Sequence, residues 1–326
     1  MVLVTDIQRT LENGDKITGY YMDGYLARNL APIPVYLKAA WDVVGIVSGH
    51  GKVRIGKSTI AAQIGYYIAW LIAGGEMFFE ENEKGSPIVT GFKKPDKEVR
   101  FNLDENVVFS SDELQKRAFQ LYEKYGKNQV IIYDEGRQGL DSSRAMENIN
   151  KGMQDFFQEC GFMGHVIIIV VPNFFKLHED YAVPRSLFLI DVYAKDGVER
   201  GFFNFYNEHQ KELLYFFGKK KLGITAKYAS ANPSFWGRFT KWLPFDKDKY
   251  EKMKAVALER KRKTRLERRI KLQRDALIWL MYKRYKIPLK KIGEELKEVC
   301  GVELGKDHLT HIISYINELK LMQIGY

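Results

Sequence analysis

The sequence predicts an α/β fold: a mostly parallel sheet built on a phosphate-binding loop, followed by a long basic helix and a small all-α domain. Three observations predict it. Residues 51–58 read Gly-Lys-Val-Arg-Ile-Gly-Lys-Ser, a complete G-x-x-x-x-G-K-[ST] pattern. Short apolar runs alternate with helical stretches between Val43 and Tyr193, the order that gives parallel strands with crossover helices. No Gly or Pro stands between Pro244 and Pro288, so one long helix is expected over most of that span.

Residues 1–40 are a mixed lead-in, in which Pro32 and Pro34 mark extended chain. Val43–Val47 is a short apolar, β-branched run, as a buried parallel strand requires. The loop follows, and then Ser58–Ile72 has helical composition. Gly51 and Gly56 let the backbone turn tightly and aim several N–H groups at one phosphate. The helix behind them presents its positive end to the anion. The expected nucleotide contacts are Gly51, Lys52, Val53, Arg54, Ile55, Gly56, Lys57, Ser58 and Thr59. Lys57 puts a point charge on the β/γ-phosphates, and the Ser58 hydroxyl can ligate Mg²⁺. The expected cofactors are ATP and Mg²⁺.

Past the first helix, Glu80–Lys97 is rich in charge, Gly and Pro and reads as a surface excursion. Glu98–Leu103 alternates polar and apolar, which suits an edge strand, and Asn106–Phe109 reads as another short strand. Ser110-Ser111-Asp112-Glu113 opens a helix that ends at Gly126. Val130–Tyr133 is an apolar strand closing on Asp134 and Glu135. Asp134 would anchor Mg²⁺ and Glu135 would act as base or position a water, because phosphoryl transfer is mostly positioning and charge stabilisation. A helix is expected over Ser142–Glu159, then the most apolar strand, His165–Val171, closing on Pro172 and Asn173. Parallel strands point their C-terminal ends at the ligand crevice, so Asn173 is either a γ-phosphate sensor or a cap after Pro172. Ser186–Tyr193 is a further strand, and Gly201–Tyr206 with Glu212–Phe217 reads as a strand pair. Arg144 and Arg185 are the leading candidates for a transition-state cation given to a neighbouring subunit, with Arg137 behind them.

Composition narrows the class. The chain has 326 residues, 45% of them hydrophobic, enough for a sizeable core. Cys160 and Cys300 lack metal-ligand spacing and read as reduced thiols. No charged-then-apolar leader opens the chain, and Ile60–Ala73 is too short to span a bilayer comfortably. The expectation is no membrane and a cytoplasmic location, the host cytoplasm if the protein is viral. Charge is unevenly distributed: residues 1–240 hold 29 Lys+Arg against 29 Asp+Glu, and residues 241–326 hold 22 against 12. The whole excess lies in the last quarter, which points there to a polyanion partner, DNA.

That quarter contains the basic run Arg260, Lys261, Arg262, Lys263, Arg265, Arg268 and Arg269, suited to phosphate contacts without sequence preference. Beyond it, Leu277, Ile278 and Met281 give one helix an apolar stripe, Pro288 opens a second, and a third has Leu309, Ile312, Ile313 and Ile316 inward. Lys306, His308, Thr310 and His311 stand on its polar face as candidate DNA contacts. The module resembles a helix-turn-helix domain, with an oligomerisation bundle as the alternative. The expected organisation is a lead-in over 1–40, an ATPase domain over 41–225, a linker and long basic helix over 226–274, and the terminal domain over 275–326.

The loop at 51–58, the strand Val130–Glu135, and the 39 residues from Asp134 to Asn173 together resemble a P-loop NTPase of the RecA/FtsK-HerA type. The arrangement is most similar to the zonula occludens toxin-like ATPases of phages and mobile elements. Asn173 stands where that family usually has Gln, so an AAA+ or superfamily-3 helicase assignment stays open. The resemblance implies a homo-oligomer, a hexameric ring, that couples ATP hydrolysis to moving DNA as a translocase or helicase. An ATP-controlled, non-motor DNA-binding switch is the second expectation, and a small-molecule kinase the third.

Overall fold

The computed structural model describes residues 2–10, 16–41, 43–49, 54–134, 150, 154, 156–157, 161–220, 228–301 and 303–324. The chain divides into two compact units, Met1–Ala255 and Val256–Tyr326.

The first unit is organised by a seven-stranded sheet of order β11-β10-β9-β3-β8-β7-β6. Its parallel part comprises β3 (Val43–Ser48), β6 (Val107–Val108), β7 (Val130–Asp134), β8 (Val166–Val170) and β9 (Phe188–Lys195). The strands β10 (Glu199–Tyr206) and β11 (Phe235–Arg238) add antiparallel pairs at one edge. Every residue of β3, β7 and β8 is buried, as expected of strands covered on both faces. Alternate side chains go to opposite faces. Ile131, Tyr133, Ile167 and Ile169 pack with Leu114, Ala118 and Leu121 of α5 (Ser111–Tyr125) and with Leu214 and Tyr215 of α7 (Glu208–Lys220). On the other face lies α3 (Lys57–Ile72), buried continuously from Ile60 to Leu71; its Gly65 passes close to Phe101 and Ile132. Each such buried Leu or Ile contributes about 2 kcal/mol.

Local chemistry sets the element ends. The Ser110 hydroxyl accepts from Glu113 N at 3.2 Å and the Glu113 carboxylate accepts from Phe109 N at 3.0 Å, which starts α5; Gly126, at φ 81°, stops it. The lead-in is more structured than expected. A hairpin of β1 (Val2–Thr10) and β2 (Lys16–Met22) precedes α1 (Gly24–Leu30) and α2 (Ile33–Lys38). The surface excursion is a second hairpin, β4 (Glu76–Glu81) with β5 (Pro87–Lys93).

Five local expectations are corrected. Pro32 and Pro34 do not mark extended chain: Pro32 stands at the start of α2 and Pro34 in its first turn, where the missing N–H costs nothing. Glu98–Leu103 is not a strand: Asn102 accepts from Glu105 N at 2.9 Å and turns the chain into α4 (Leu103–Asn106), while Phe101 packs edge-on to Tyr66 at 6.0 Å. That helix also takes Asn106 from the next strand, leaving β6 two residues long. Glu212–Phe217 belongs to α7, because the buried positions are Lys211, Leu214, Tyr215 and Gly218, the i, i+3, i+4, i+7 period of a helix. Leu277 faces outward, 60% exposed, although its neighbour Ile278 is buried. The helix expected over Ser142–Glu159 lies mostly outside the described residues; residues 150, 154, 156 and 157 are helical. A four-residue helix, α6 (Glu179–Ala182), precedes β9.

The long helix is present as α8 (Lys247–Lys283). The division between units falls within it, so residues 228–255 pack with the first unit and the expected linker over 226–274 is split. In the second unit, the end of α8 meets α9 (Leu289–Cys300) and α10 (Lys306–Ile324). Their core is Ile278, Ile292, Leu309, Ile312, Ile313 and Ile316, and Trp279 Nε1 donates to Asn317 Oδ1 at 2.8 Å. Among the described residues no helix is long and apolar enough to cross a membrane.

Candidate functional site

The site lies where β3, β7 and β8 end, at the C-terminal edge of the parallel strands. Gly51, Lys52 and Val53 are outside the described residues, as are His50, Glu135, Arg137 and Arg144. The described part of the loop begins at Arg54, exposed and at φ 58°, followed by buried Ile55 and by Gly56 at φ 101°. Only glycine takes the Gly56 conformation without strain. A Cβ there would also meet the Phe239 ring at 2.8 Å. From Gly56 the chain enters α3, placing Lys57, Ser58 and Thr59 in its first turn.

Asp134 is the last residue of β7, and β8 lies between β7 and β3. Register puts Asp134 beside Val170 and Val170 beside Val47, so the carboxylate is level with the end of β3, two strand spacings or about 10 Å across. Its residue is 2% exposed. Lys254 donates to the Asp134 carboxylate at 3.0 Å, to Ser58 Oγ at 3.3 Å and to the Tyr250 hydroxyl at 3.0 Å. The Tyr250 hydroxyl itself donates to Asp134. Burial alone would raise the Asp134 pKa, but Lys254, with Tyr250 and Ser58 donating, holds it below the usual carboxylate value. Burial, then the charge of Asp134, pushes the Tyr250 phenol well above its ordinary value. Ser58 and Asp134 therefore already bracket one cation. Two hard oxygens of this kind suit Mg²⁺, so the residues present fit that ion.

Lys254 and Tyr250 stand four apart on α8 and so share a face. The chain before them forms a strap over Gly56 and the start of α3. Phe239 covers Gly56, and Gln63 of α3 donates to Thr240 O at 2.9 Å and to Trp242 O at 2.8 Å. Trp242 meets Tyr66 edge-on at 5.8 Å, Phe245 stacks on Tyr250 at 5.6 Å, and Lys249 pairs with Asp104 at 2.7 Å.

The other anticipated residues are dispersed. Asn173 follows β8 at the same edge as the loop, where its Oδ1 accepts from Phe175 N at 3.0 Å and caps a short 3-10 turn. Arg185 precedes β9, at the opposite edge of the sheet from its own loop, with its guanidinium 4.7 Å over the Phe157 ring. In the second unit Arg260, Lys263 and Arg269 are exposed on α8, and Lys306, His308, Thr310 and His311 on α10. Lys261, Arg262, Arg265 and Arg268 are on α8, with side chains outside the described set. The α10 surface bearing Thr310 and His311 also carries Asp307 and Glu318, so the excess positive charge belongs to α8 rather than to that surface.

Tyr250, Lys254, Gln63 and Phe239 were not anticipated from sequence. One signal was present: Gln63 is a lone amide in an apolar helix, and a buried amide requires partners.

The fold and site define an α/β protein with a mostly parallel seven-stranded sheet and a Gly-Lys-Ser loop at its C-terminal edge. No family model matches the chain, and neither a curated protein nor a solved structure matches it.

Proposed function

We propose that the protein is an oligomeric, DNA-dependent ATPase of the P-loop type. The observation that carries this is the convergence of Ser58, from the loop, and Asp134, from the end of β7, on a single cation. The strand β8 inserted between β3 and β7 supports the additional-strand class to which the FtsK/HerA ATPases belong. Ser58 and Asp134 would hold Mg²⁺, which when bound supplies charge neutralisation to the phosphates. Lys57 would bind the β/γ-phosphates, the Arg54–Thr59 backbone would cradle them, and Glu135 would orient the attacking water. A neighbour's arginine would complete the site; Arg185, remote from its own loop, is available for that only in trans. The basic stretch of α8 would hold DNA phosphates.

The test is ATP hydrolysis by the purified protein, with and without single- and double-stranded DNA, beside Lys57→Ala and Glu135→Gln. The expected result is DNA-stimulated turnover that disappears in both variants, with nucleotide binding kept in Glu135→Gln. Turnover retained by Lys57→Ala overturns the assignment. Slow turnover indifferent to DNA favours the ATP-controlled switch, a possibility supported by the lysine already seated between Ser58 and Asp134.

A further inference from the structure

Among the described residues of the first unit, Lys254 sits where a loop hydroxyl and a strand-end carboxylate meet. Its amine is 3.0 Å from the Asp134 carboxylate and 3.3 Å from Ser58 Oγ. A magnesium ion binds its oxygens at about 2.0–2.1 Å and demands near-octahedral geometry. An ammonium group already within hydrogen-bonding distance of both oxygens leaves no room for that shell and repels a second cation. Lys254 is also not a solvent-tethered visitor. Its side chain is 23% exposed, its Asp134 partner 3%, and Tyr250 beside it is buried between Phe109 and Phe245.

From this arrangement we infer that Lys254 is a built-in competitor for the divalent cation. Resting on the nucleotide reading above, the inference is that the strap from Phe239 to Lys254 must release before Ser58 and Asp134 can take Mg²⁺ with ATP. The strap is anchored by Phe239 N donating to Gly201 O, by Gln63 donating to two carbonyls, by the Lys249–Asp104 and Lys254–Asp134 pairs, by the Tyr250 hydroxyl on Asp134 and by ring packing, among other contacts. The same helix that carries Lys254 continues into Arg260–Arg269.

The experiment measures binding of a fluorescent, non-hydrolysable ATP analogue to the full chain, in EDTA and over a Mg²⁺ titration. Wild type, Lys254→Gln, Lys254→Arg and Lys57→Ala are compared. If the strap is closed roughly nine-tenths of the time, apparent Mg²⁺ affinity is reduced about tenfold. Lys254→Gln should then need about tenfold less Mg²⁺ for half-saturation, with affinity in EDTA unchanged, while Lys254→Arg keeps the wild-type requirement. An unshifted Mg²⁺ requirement in Lys254→Gln overturns the inference, and so does weaker binding in EDTA, which would make Lys254 a phosphate ligand. Hydrogen exchange on the wild type gives a reading that needs no variant. Adding Mg²⁺ with the analogue should speed exchange at residues 239–254, and slower or unchanged exchange there overturns the inference. Absence of nucleotide binding by the wild type at every Mg²⁺ concentration, with Lys57→Ala indistinguishable from it, overturns the nucleotide reading itself and the inference with it.

Discussion

At the scale of single residues, the buried polar groups of this protein divide into those that can change partners and those that cannot. Asp134, whose partners Lys254 and Tyr250 come from the strap, is of the first kind if the strap releases as inferred above. His165 is of the second kind. Its Nδ1 accepts from Gln129 N at 3.1 Å, so the ring proton must sit on Nε2, which donates to Ala118 O at 3.0 Å. Burial lowers the His165 pKa, and the backbone bond only partly offsets this. The folded state thus refuses a proton that the unfolded chain accepts. Stability from this group is complete above the ordinary histidine value of about 6.5 and is lost as pH falls below it. Denaturant midpoints measured at about pH 7.5 and pH 5.5 should drop more in wild type than in His165→Gln. Equal drops would mean that His165 titrates as it does in water.

Elements were legible where a strand or helix is specified by its own composition. The runs Val43–Val47, Val130–Asp134 and His165–Val171 became β3, β7 and β8 because β-branched residues buried on both faces have few other outcomes. Where burial includes a polar residue, the pattern misleads. In α7 the buried position Lys211 donates to Val183 O at 2.7 Å and to Ser186 Oγ at 2.7 Å, and burial lowers its pKa to about 8. A lysine on the core face hid the helical period behind the apolar run that follows it. The loop and Asp134 were legible from motif spacing, whereas the strap was not. Tyr250 and Lys254 lie 116 and 120 positions from Asp134 and announce nothing locally. Gln63 is the residue that fastens the strap, through two carbonyls. Gln63→Leu removes both bonds and leaves Thr240 and Trp242 with carbonyls to resatisfy, a cost of about 2 kcal/mol borne by the strap alone. Hydrogen exchange at residues 239–250 should accelerate by roughly thirtyfold while β7 and β8 keep their protection. Uniform acceleration across the sheet would show instead that Gln63 supports the whole core.

For the molecule as a whole, the decisive quantity is where charge sits relative to the division of the chain. The formal charge is +10 and all of it is accounted for after residue 240. The compact units divide later, at Ala255 and Val256. A truncation at residue 245 would remove Tyr250 and Lys254 along with the basic helix, and so would disturb the candidate cation site as well as the candidate DNA site. A truncation after Ala255 separates the two: it keeps the strap's hydrogen bonds and ion pairs and removes Arg260–Arg269 with the terminal helices. If α8 holds DNA through phosphates, affinity must fall with salt in proportion to the number of phosphates neutralised, because each one releases condensed counterions. Replacing the exposed Arg260, Lys263 and Arg269 with Gln should flatten the log–log salt dependence of duplex binding by about 0.9 for each phosphate no longer neutralised, close to 3 if all three side chains touch phosphate. The effect should be the same on unrelated DNA sequences, since phosphate recognition carries no base information. A triple variant with an unchanged slope would remove those three side chains from the DNA site and leave the other basic positions of α8, the exposed face of α10 or the first unit, whose charges balance over residues 1–240, to hold the phosphates. Polyanion binding by residues 1–240 in particular would have to come from local geometry rather than net charge, since their charges cancel.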